Sequence, residues 1–334
     1  MRQTRILGVG MHLPERKVTN FELEAMQEIE TTDEWIRQRT GIESRYYAAE
    51  NESGTELAEP AAREAIEAAG LTPEDIDFII FATLSPDYFF PGNGCLLQER
   101  LFGDRTVGAM DLRNQCSGFI YGLVVADGLI KSGQYEHILL VGSEIHSTAL
   151  DFSKRGRDVT VLFGDAAGAV VLGPAPEGHP GILASALHSE GKYAKDLWIE
   201  YPASCRSPRL SADILEQGRH FPKMNGRMVF KHAVTRMVEV TQEVLAKADK
   251  KAQDIDVVLF HQANLRINQM AANLLGLPED KVINTIMWTG NTTAATIPIC
   301  MCEAIKQGRL KENDLVLLAA FGSGFTWAGS LLHW

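Results

Sequence analysis

The sequence predicts an α/β fold built from two similar halves, and three observations carry that prediction. Continuous apolar runs such as Phe78–Leu84 and Leu315–Phe321 have strand length, with the β-branched and aromatic residues of strands buried on both faces. Amphipathic, Ala- and Glu-rich stretches recur ahead of such runs, so strands alternate with helices. The pattern also occurs twice along the chain.

The first strand of each copy is the clearest match. Asp75-Ile76-Asp77-Phe78-Ile79-Ile80-Phe81 reads like Asp254-Ile255-Asp256-Val257-Val258-Leu259-Phe260, an acidic loop running into a buried strand. Helical stretches precede them, Glu59–Gly70 in one case and Met237–Lys250 in the other. Further on, Ile138–Ser143 echoes Leu318–Ser323. From Phe81 to Gly142 is 61 positions and from Phe260 to Gly322 is 62. Two matches in one order at nearly equal spacing favour duplication over the chance likeness of buried strands. The divide falls in the Gly- and Pro-rich run 173–180, giving halves 1–174 and 175–334 related by a pseudo-twofold axis, with largely parallel sheets. Residues 200–225 form a long irregular connection, read as a functional flap or a disordered segment.

Composition bounds the function. The 334 residues amount to about two domains at ~100–200 residues each, with an ordinary 45% hydrophobic and 22% charged content. A formal charge of -11, from 32 basic and 43 acidic residues, excludes a protein whose main partner is nucleic acid. No uninterrupted apolar window is long enough to span a membrane, and the N-terminal apolar stretch is too short for a signal peptide. Five cysteines with no C-x-x-C pair fit free thiols in a reducing, cytoplasmic compartment.

Chemistry is expected where strands end. Thr106–Leu112 reads as a strand and Ile120–Ile130 as a helix, which puts Cys116 at a helix N-terminus. There the partial positive charge favours thiolate and lowers the thiol pKa, and free N–H groups face any anion. A structural cysteine is the competing reading, and it is preferred for Cys300 and Cys302, inside an apolar helical stretch. Cys95 and Cys205 are read as non-catalytic. His261 leads the polar cluster directly after the repeated strand, the place where α/β proteins hold ligands, although a strand-capping histidine stays open. The other histidines, His137, His146 and His179 among them, are read as surface or structural. Asn291 stands in Gly290-Asn291-Thr292-Thr293, ahead of the helix Thr296–Gln307, a run equally good as N-cap chemistry. A pseudo-twofold brings that helix start to the Cys116 helix start with His261 between them, so a nucleophile meets two hydrogen-bonding partners. Phe163–Leu172 lacks the Lys-Ser/Thr of a P-loop, so its small residues are read as close packing. Phe321–Gly329 is a turn able to aim N–H groups at an oxyanion.

The chain resembles the β-ketoacyl-acyl carrier protein synthase III family, the initiating condensing enzymes of type II fatty acid synthesis. The likeness runs nearly end to end: Thr32-Asp33-Glu34-Trp35-Ile36, Arg39-Thr40-Gly41-Ile42, Cys116-Ser117-Gly118-Phe119, Phe163-Gly164-Asp165, Val229-Phe230-Lys231, His261–Ile267, Gly290–Ala295 and Ala320–Trp327. It implies a thiolase-like five-layer αβαβα sandwich of two duplicated halves, usually dimeric, independently of the repeat. It also implies a triad of Cys116, His261 and Asn291. Cys116 takes an acyl group from a short acyl-CoA, acetyl-CoA by default, and malonyl-acyl carrier protein then loses CO2 and condenses to a 3-oxoacyl product. His261 and Asn291 donate hydrogen bonds to the thioester oxygen. The backbone N–H groups of Cys116 and Ser323 form a second oxyanion hole, with Ser323 where the family often has Gly or Ala.

The same resemblance places Trp35, Arg39, Arg155, Gly226 and Asn264 around CoA. Phe90 and Phe163 fall near the acyl pocket, and Lys231, Arg236 and Arg266 face an acidic carrier protein. It implies acyl-CoA as substrate rather than cofactor, no cofactor and no metal. The alternatives are a homologous condensing enzyme acting on longer acyl groups in secondary metabolism, a cysteine-dependent thioester hydrolase, and a non-catalytic CoA-binding scaffold. Three features depart from the family pattern: Gly226-Arg227 in place of a Gly-Asn pair, Asn114-Gln115 ahead of the cysteine, and the length of 200–225.

Overall fold

The fold is given by a computed structural model that describes residues 2–334. The first half runs β1 (Thr4–His12), α1 (Asp33–Thr40), α2 (Gly54–Ala68), β2 (Phe78–Ala82), α3 (Asn93–Phe102), β3 (Gly108–Leu112), α4 (Gly118–Lys131), β4 (Ile138–Glu144) and β5 (Ala166–Pro174). The second runs β6 (Ile182–Ser189), α5 (Gly226–Lys247), β7 (Val257–Phe260), α6 (Leu265–Leu275), α7 (Thr296–Lys306), β8 (Leu315–Gly322) and β9 (Thr326–His333). The amphipathic stretch expected from Met237 begins earlier, at Gly226, because Asn225 caps the helix by accepting from the Met228 amide.

The duplication is legible in strand order. One sheet is ordered β1-β5-β4-β2-β3 and the other β6-β9-β8-β7. Where the first sheet adds β3 in parallel to β2, the second has a single parallel bridge from Val258 of β7 to Val282. The fifth strand of the repeat is thus reduced to one contact. The sheets are mixed rather than largely parallel as expected. The β2–β3, β2–β4 and β7–β8 pairs are parallel, whereas β5 and β9 turn back antiparallel on their neighbours. A tight turn at 323–325 makes β8–β9 a hairpin, which only antiparallel strands permit.

Side-chain alternation builds five layers. Along β7, Val257 and Leu259 face a central core with α4 and α7, while Val258 and Phe260 face α5 and α6. In the first sheet Ile80 points to the same central core and Ile79 and Phe81 point out to α2 and α3. Both faces are buried, so the strands read as unbroken apolar runs. Phe119, Ile120 and Leu123 of α4 and Ile297 and Met301 of α7 fill the shared middle layer. At roughly 1.5–3 kcal/mol for each fully buried large apolar side chain, this layer outweighs the surface ion pairs, worth about 0–1 kcal/mol apiece.

The long connection after β6 carries local structure of its own. Pro222–Met224 pairs antiparallel with Leu197–Ile199, Ala212–Glu216 is a helical turn, and Arg219 and Lys223 both hold Glu200.

Candidate active site

Cys116 lies in the tight turn Gln115–Ser117 that feeds α4, with Gln115 at a left-handed φ of 46°. Ser117 anchors the turn to the other half through a 2.8 Å hydroxyl contact with Thr326. The end of β8 presses on the same turn at Gly322, where any Cβ would stand 2.8 Å from the Cys116 Cβ. The thiol is buried, and its electrostatics correct the sequence expectation. Desolvation, with the Glu144 carboxylate adding to it, pushes Cys116 up to about 12, while the backbone N–H groups of Cys116 and Ser323 pull the other way. Position near a helix start favours thiolate, but removing the sulfur from water costs more than that partial charge returns.

His261 follows β7 directly and its amide donates to Ala319 O at 2.9 Å, continuing the parallel ladder with β8. Its Nδ1 pairs with Thr296 Oγ1 at 2.8 Å. Its Nε2 is buried with no partner, an orphan in a structure where buried polar groups are normally satisfied. Burial lowers the ring pKa to about 3, so His261 is neutral at physiological pH. Asn291 is held by its backbone, donating to Leu162 O at 2.8 Å and accepting from the Gly164 amide at 3.1 Å. Gly290 permits this approach with φ 64°, since a Cβ there would lie 3.0 Å from Leu162 O. The Asn291 Oδ1 accepts from the Thr293 amide at 2.9 Å, which leaves Nδ2 as the free end of the side chain.

Cys116, His261 and Asn291 line one cavity of roughly 540 Å³ whose outer wall carries Trp35, Arg39, Arg227 and Arg266. Trp35 stands in the first turn of α1 and Arg39 in its last. Gly41, with φ 78°, closes that helix against Leu265 at the start of α6, and Asn264 Nδ2 donates to Arg39 O at 3.0 Å. A second cavity of roughly 860 Å³ meets the first at Cys116 and Phe163, and its wall includes Arg113, Gln115, His146 and Ser323.

The other expected residues divide. Gly226 and Asn264 line the first cavity, and Phe163 lines both. Arg155 lines neither cavity: its Nε binds Asp151 at 2.6 Å and its guanidinium lies over Phe221. The cations on the Trp35 ring are Arg39 at 4.8 Å and Arg157 at 4.6 Å. Phe90 lines neither cavity and is 82% exposed, in a loop with Tyr88 and Phe89. Arg236 is committed to Glu190 and Glu239 and stacks on Trp327, so its charge is spent within the chain. Lys231 and Arg266 are exposed and enter no ion pair among the described residues.

Four residues around the site escaped the sequence reading. Arg157 sits two positions past the arginine singled out there, and linear spacing alone did not separate the two. His146, read as surface or structural, is buried, packs its ring at a tilt on Phe163 with centroids 4.5 Å apart and pairs with Thr293 Oγ1 at 2.6 Å. Thr296 carried only N-cap chemistry as a signal. Glu144, at the end of β4, is fully buried among the Thr83 and Ser85 hydroxyls and the Leu84 and Ser85 amides, and burial lifts its pKa to about 7.

Known proteins share this sequence and shape. The family described as 3-oxoacyl-[acyl-carrier-protein (ACP)] synthase III matches residues 110–191, and its C-terminal counterpart matches 245–334. The chain is 43% identical over its full length to a beta-ketoacyl-[acyl-carrier-protein] synthase III of Methylococcus capsulatus, 99% of which is covered. It is also similar to the crystal structure of 3-oxoacyl-[acyl-carrier-protein] synthase III from Aquifex aeolicus, with TM-score 0.90, 42% identity, 99% of this chain and all of that one. The priming β-ketosynthase of a polyketide biosynthetic pathway superposes with TM-score 0.89 at 32% identity, covering 99% of this chain and 96% of the other. Among the described residues no helix is long and apolar enough to cross a membrane.

Proposed function

The chain belongs to the 3-oxoacyl-[acyl-carrier-protein] synthase III family of acyltransferases, and from that premise we propose how its own residues run a decarboxylative condensation. Cys116 attacks the thioester of an acyl-CoA, becoming acylated as CoA leaves. Malonyl-acyl carrier protein then enters the same mouth and loses CO2, and the resulting enolate attacks the acyl group to give a 3-oxoacyl thioester. The Asn291 Nδ2 group, and His261 Nε2 when it carries a proton, hold the malonyl thioester oxygen as enolate charge develops. The amides of Cys116 and Ser323 hold the acyl carbonyl oxygen. The carbanion comes from CO2 loss, so the chemistry calls for no cofactor and no metal.

One observation supports this most strongly: His261, whose buried Nε2 has no hydrogen-bond partner, lines the same cavity as Cys116 and Asn291. The outer wall suits acyl-CoA. The Trp35 ring, flanked by Arg39 and Arg157, fits an adenine with its phosphates. Lys231 and Arg266, joined by Arg227, offer an acidic carrier protein a local attraction on a chain of net charge -11. A cytoplasmic homodimer accords with the exposed edge strand β3 and the exposed aromatics Tyr88, Phe89 and Phe90, which a second copy would cover.

Intact mass after acyl-CoA treatment, followed by peptide mapping, tests the reading: a label on the Cys116 peptide is expected, and a label elsewhere overturns it. The hydrolase reading instead predicts steady thioester turnover without a malonyl donor. A second reading, of acyl groups longer than acetyl, is favoured by the roughly 860 Å³ cavity beyond Cys116. A graded acyl-CoA panel decides it, with a rate maximum at acetyl overturning the longer chain.

A further inference from the structure

The hydrogen bonds behind His261 specify which ring nitrogen carries its proton. Thr296 Oγ1 has one hydrogen, and it is donated to Thr293 O at 2.9 Å. The same oxygen lies 2.8 Å from His261 Nδ1. With its own hydrogen committed, the hydroxyl meets Nδ1 only as an acceptor, so Nδ1 carries the proton and Nε2 presents a lone pair. Thr293 is itself held tightly. Its Oγ1 pairs with buried His146, its amide donates to Asn291 Oδ1, and its φ is 50°, a left-handed angle that β-branched residues rarely adopt. One turn therefore orients the Asn291 amide and directs the His261 tautomer.

On the reading that Cys116 is the nucleophile, we infer that Thr296 is a positioning residue that keeps the neutral His261 in its Nδ1–H form, making Nε2 the acceptor of the Cys116 proton. In acylation the proton passes from Sγ to Nε2, Sγ bonds to the acyl carbon, and the bond to CoA breaks. Nε2 hands that proton on to the CoA sulfur as it leaves, so CoA departs as the thiol and the ring returns to the neutral form that its burial imposes. Asn291 Nδ2 then holds the malonyl thioester oxygen while CO2 leaves, joined by Nε2 whenever the neutral ring visits its Nε2–H tautomer. When the enolate carbon bonds to the acyl carbon, the expelled Cys116 thiolate takes a proton from water. A histidine with Nε2–H at the start has no lone pair on Nε2 to take the thiol proton, so the tautomer decides whether the first transfer occurs.

Nitrogen-15 NMR of the full-length protein labelled at histidine tests this, with His261→Gln assigning the resonances. The wild type is expected to show protonated Nδ1 and bare Nε2 at neutral pH; a protonated Nε2 overturns the inference without any further variant. Thr296→Val, which removes the hydroxyl and keeps the shape, is expected to shift the ring toward Nε2–H and slow Cys116 acylation about 100-fold, within the range for loss of a general base. Thr296→Ser is expected to restore both. An unchanged tautomer in Thr296→Val, or slowed acylation with no serine rescue, overturns the role. Acyl label away from Cys116 defeats the nucleophile reading and leaves the tautomer result standing, so the two failures are told apart.

Discussion

Gly322 and Cys116 touch across the two halves: a Cβ on Gly322 would lie 2.8 Å from the Cys116 Cβ and 3.0 Å from its amide nitrogen. Both atoms are backbone or next to it, so they cannot swing aside. Gly322→Ala must move the turn that carries the sulfur or the end of β8 that carries Ser323. A displacement near 1 Å at a reacting group costs on the order of 100-fold in rate. Single-turnover acylation of Gly322→Ala should be slower by about that factor, with a lowered melting temperature. Acylation at the wild-type rate would mean that the two halves are not in contact there.

Asn291→Ala should separate the two half-reactions. In the mechanism proposed, its Nδ2 serves the malonyl oxygen and not Cys116 acylation, so acylation should continue while CO2 release falls by roughly 10²–10³. Trapped acyl-enzyme on mass spectrometry, together with slow release of labelled CO2, is the expected signature. Equal loss in both steps would place Asn291 in acylation as well.

The arginine pair on Trp35 predicts a ranking. Arg157→Ala removes a cation stacked on the ring and should raise KM for acyl-CoA by about tenfold, given ~1–2 kcal/mol for a partly desolvated cation–π and phosphate contact. Arg155→Ala should raise it less, because that guanidinium is already bound to Asp151. A larger effect at Arg155 would reverse the assignment.

Glu144 predicts a pH dependence of stability. Burial raises its folded-state pKa to about 7, so between the ordinary value of 4.5 and 7 the folded state holds a proton that the unfolded state has lost. Its contribution is present below 4.5 and is lost as pH rises through 7, on the order of 3 kcal/mol in all. The melting temperature of wild type relative to Glu144→Gln should therefore fall across that window. A flat difference would mean that the carboxyl titrates near its ordinary value.

Much of this architecture was legible because buried strands announce themselves. The paired runs at Asp75–Phe81 and Asp254–Phe260 marked the duplication, and the polar residues after them marked the site. Strand direction was not legible, since an apolar run buried on both faces looks the same in parallel and antiparallel pairing. Cys116, His261 and Asn291 stood out because each ends an element at a break in pattern. Arg157, His146 and Thr296 did not, because their partners are remote in sequence: Trp35 for the first, Thr293 for the second and His261 for the third. The thiol pKa departs from the sequence expectation for a related reason. A helix terminus is visible in one dimension, whereas desolvation depends on everything packed around the sulfur.

The shared middle layer of α4 and α7 has a consequence for how the chain matures. Each half faces that layer with apolar side chains that only the other half covers, so neither is a folding unit in its own right. The first half leaves the ribosome with Cys116 but without His261 or Asn291, which arrive more than a hundred residues later. Reactivity at the sulfur therefore emerges with completion of the fold, and a truncated or half-folded chain carries a thiol with no machinery around it.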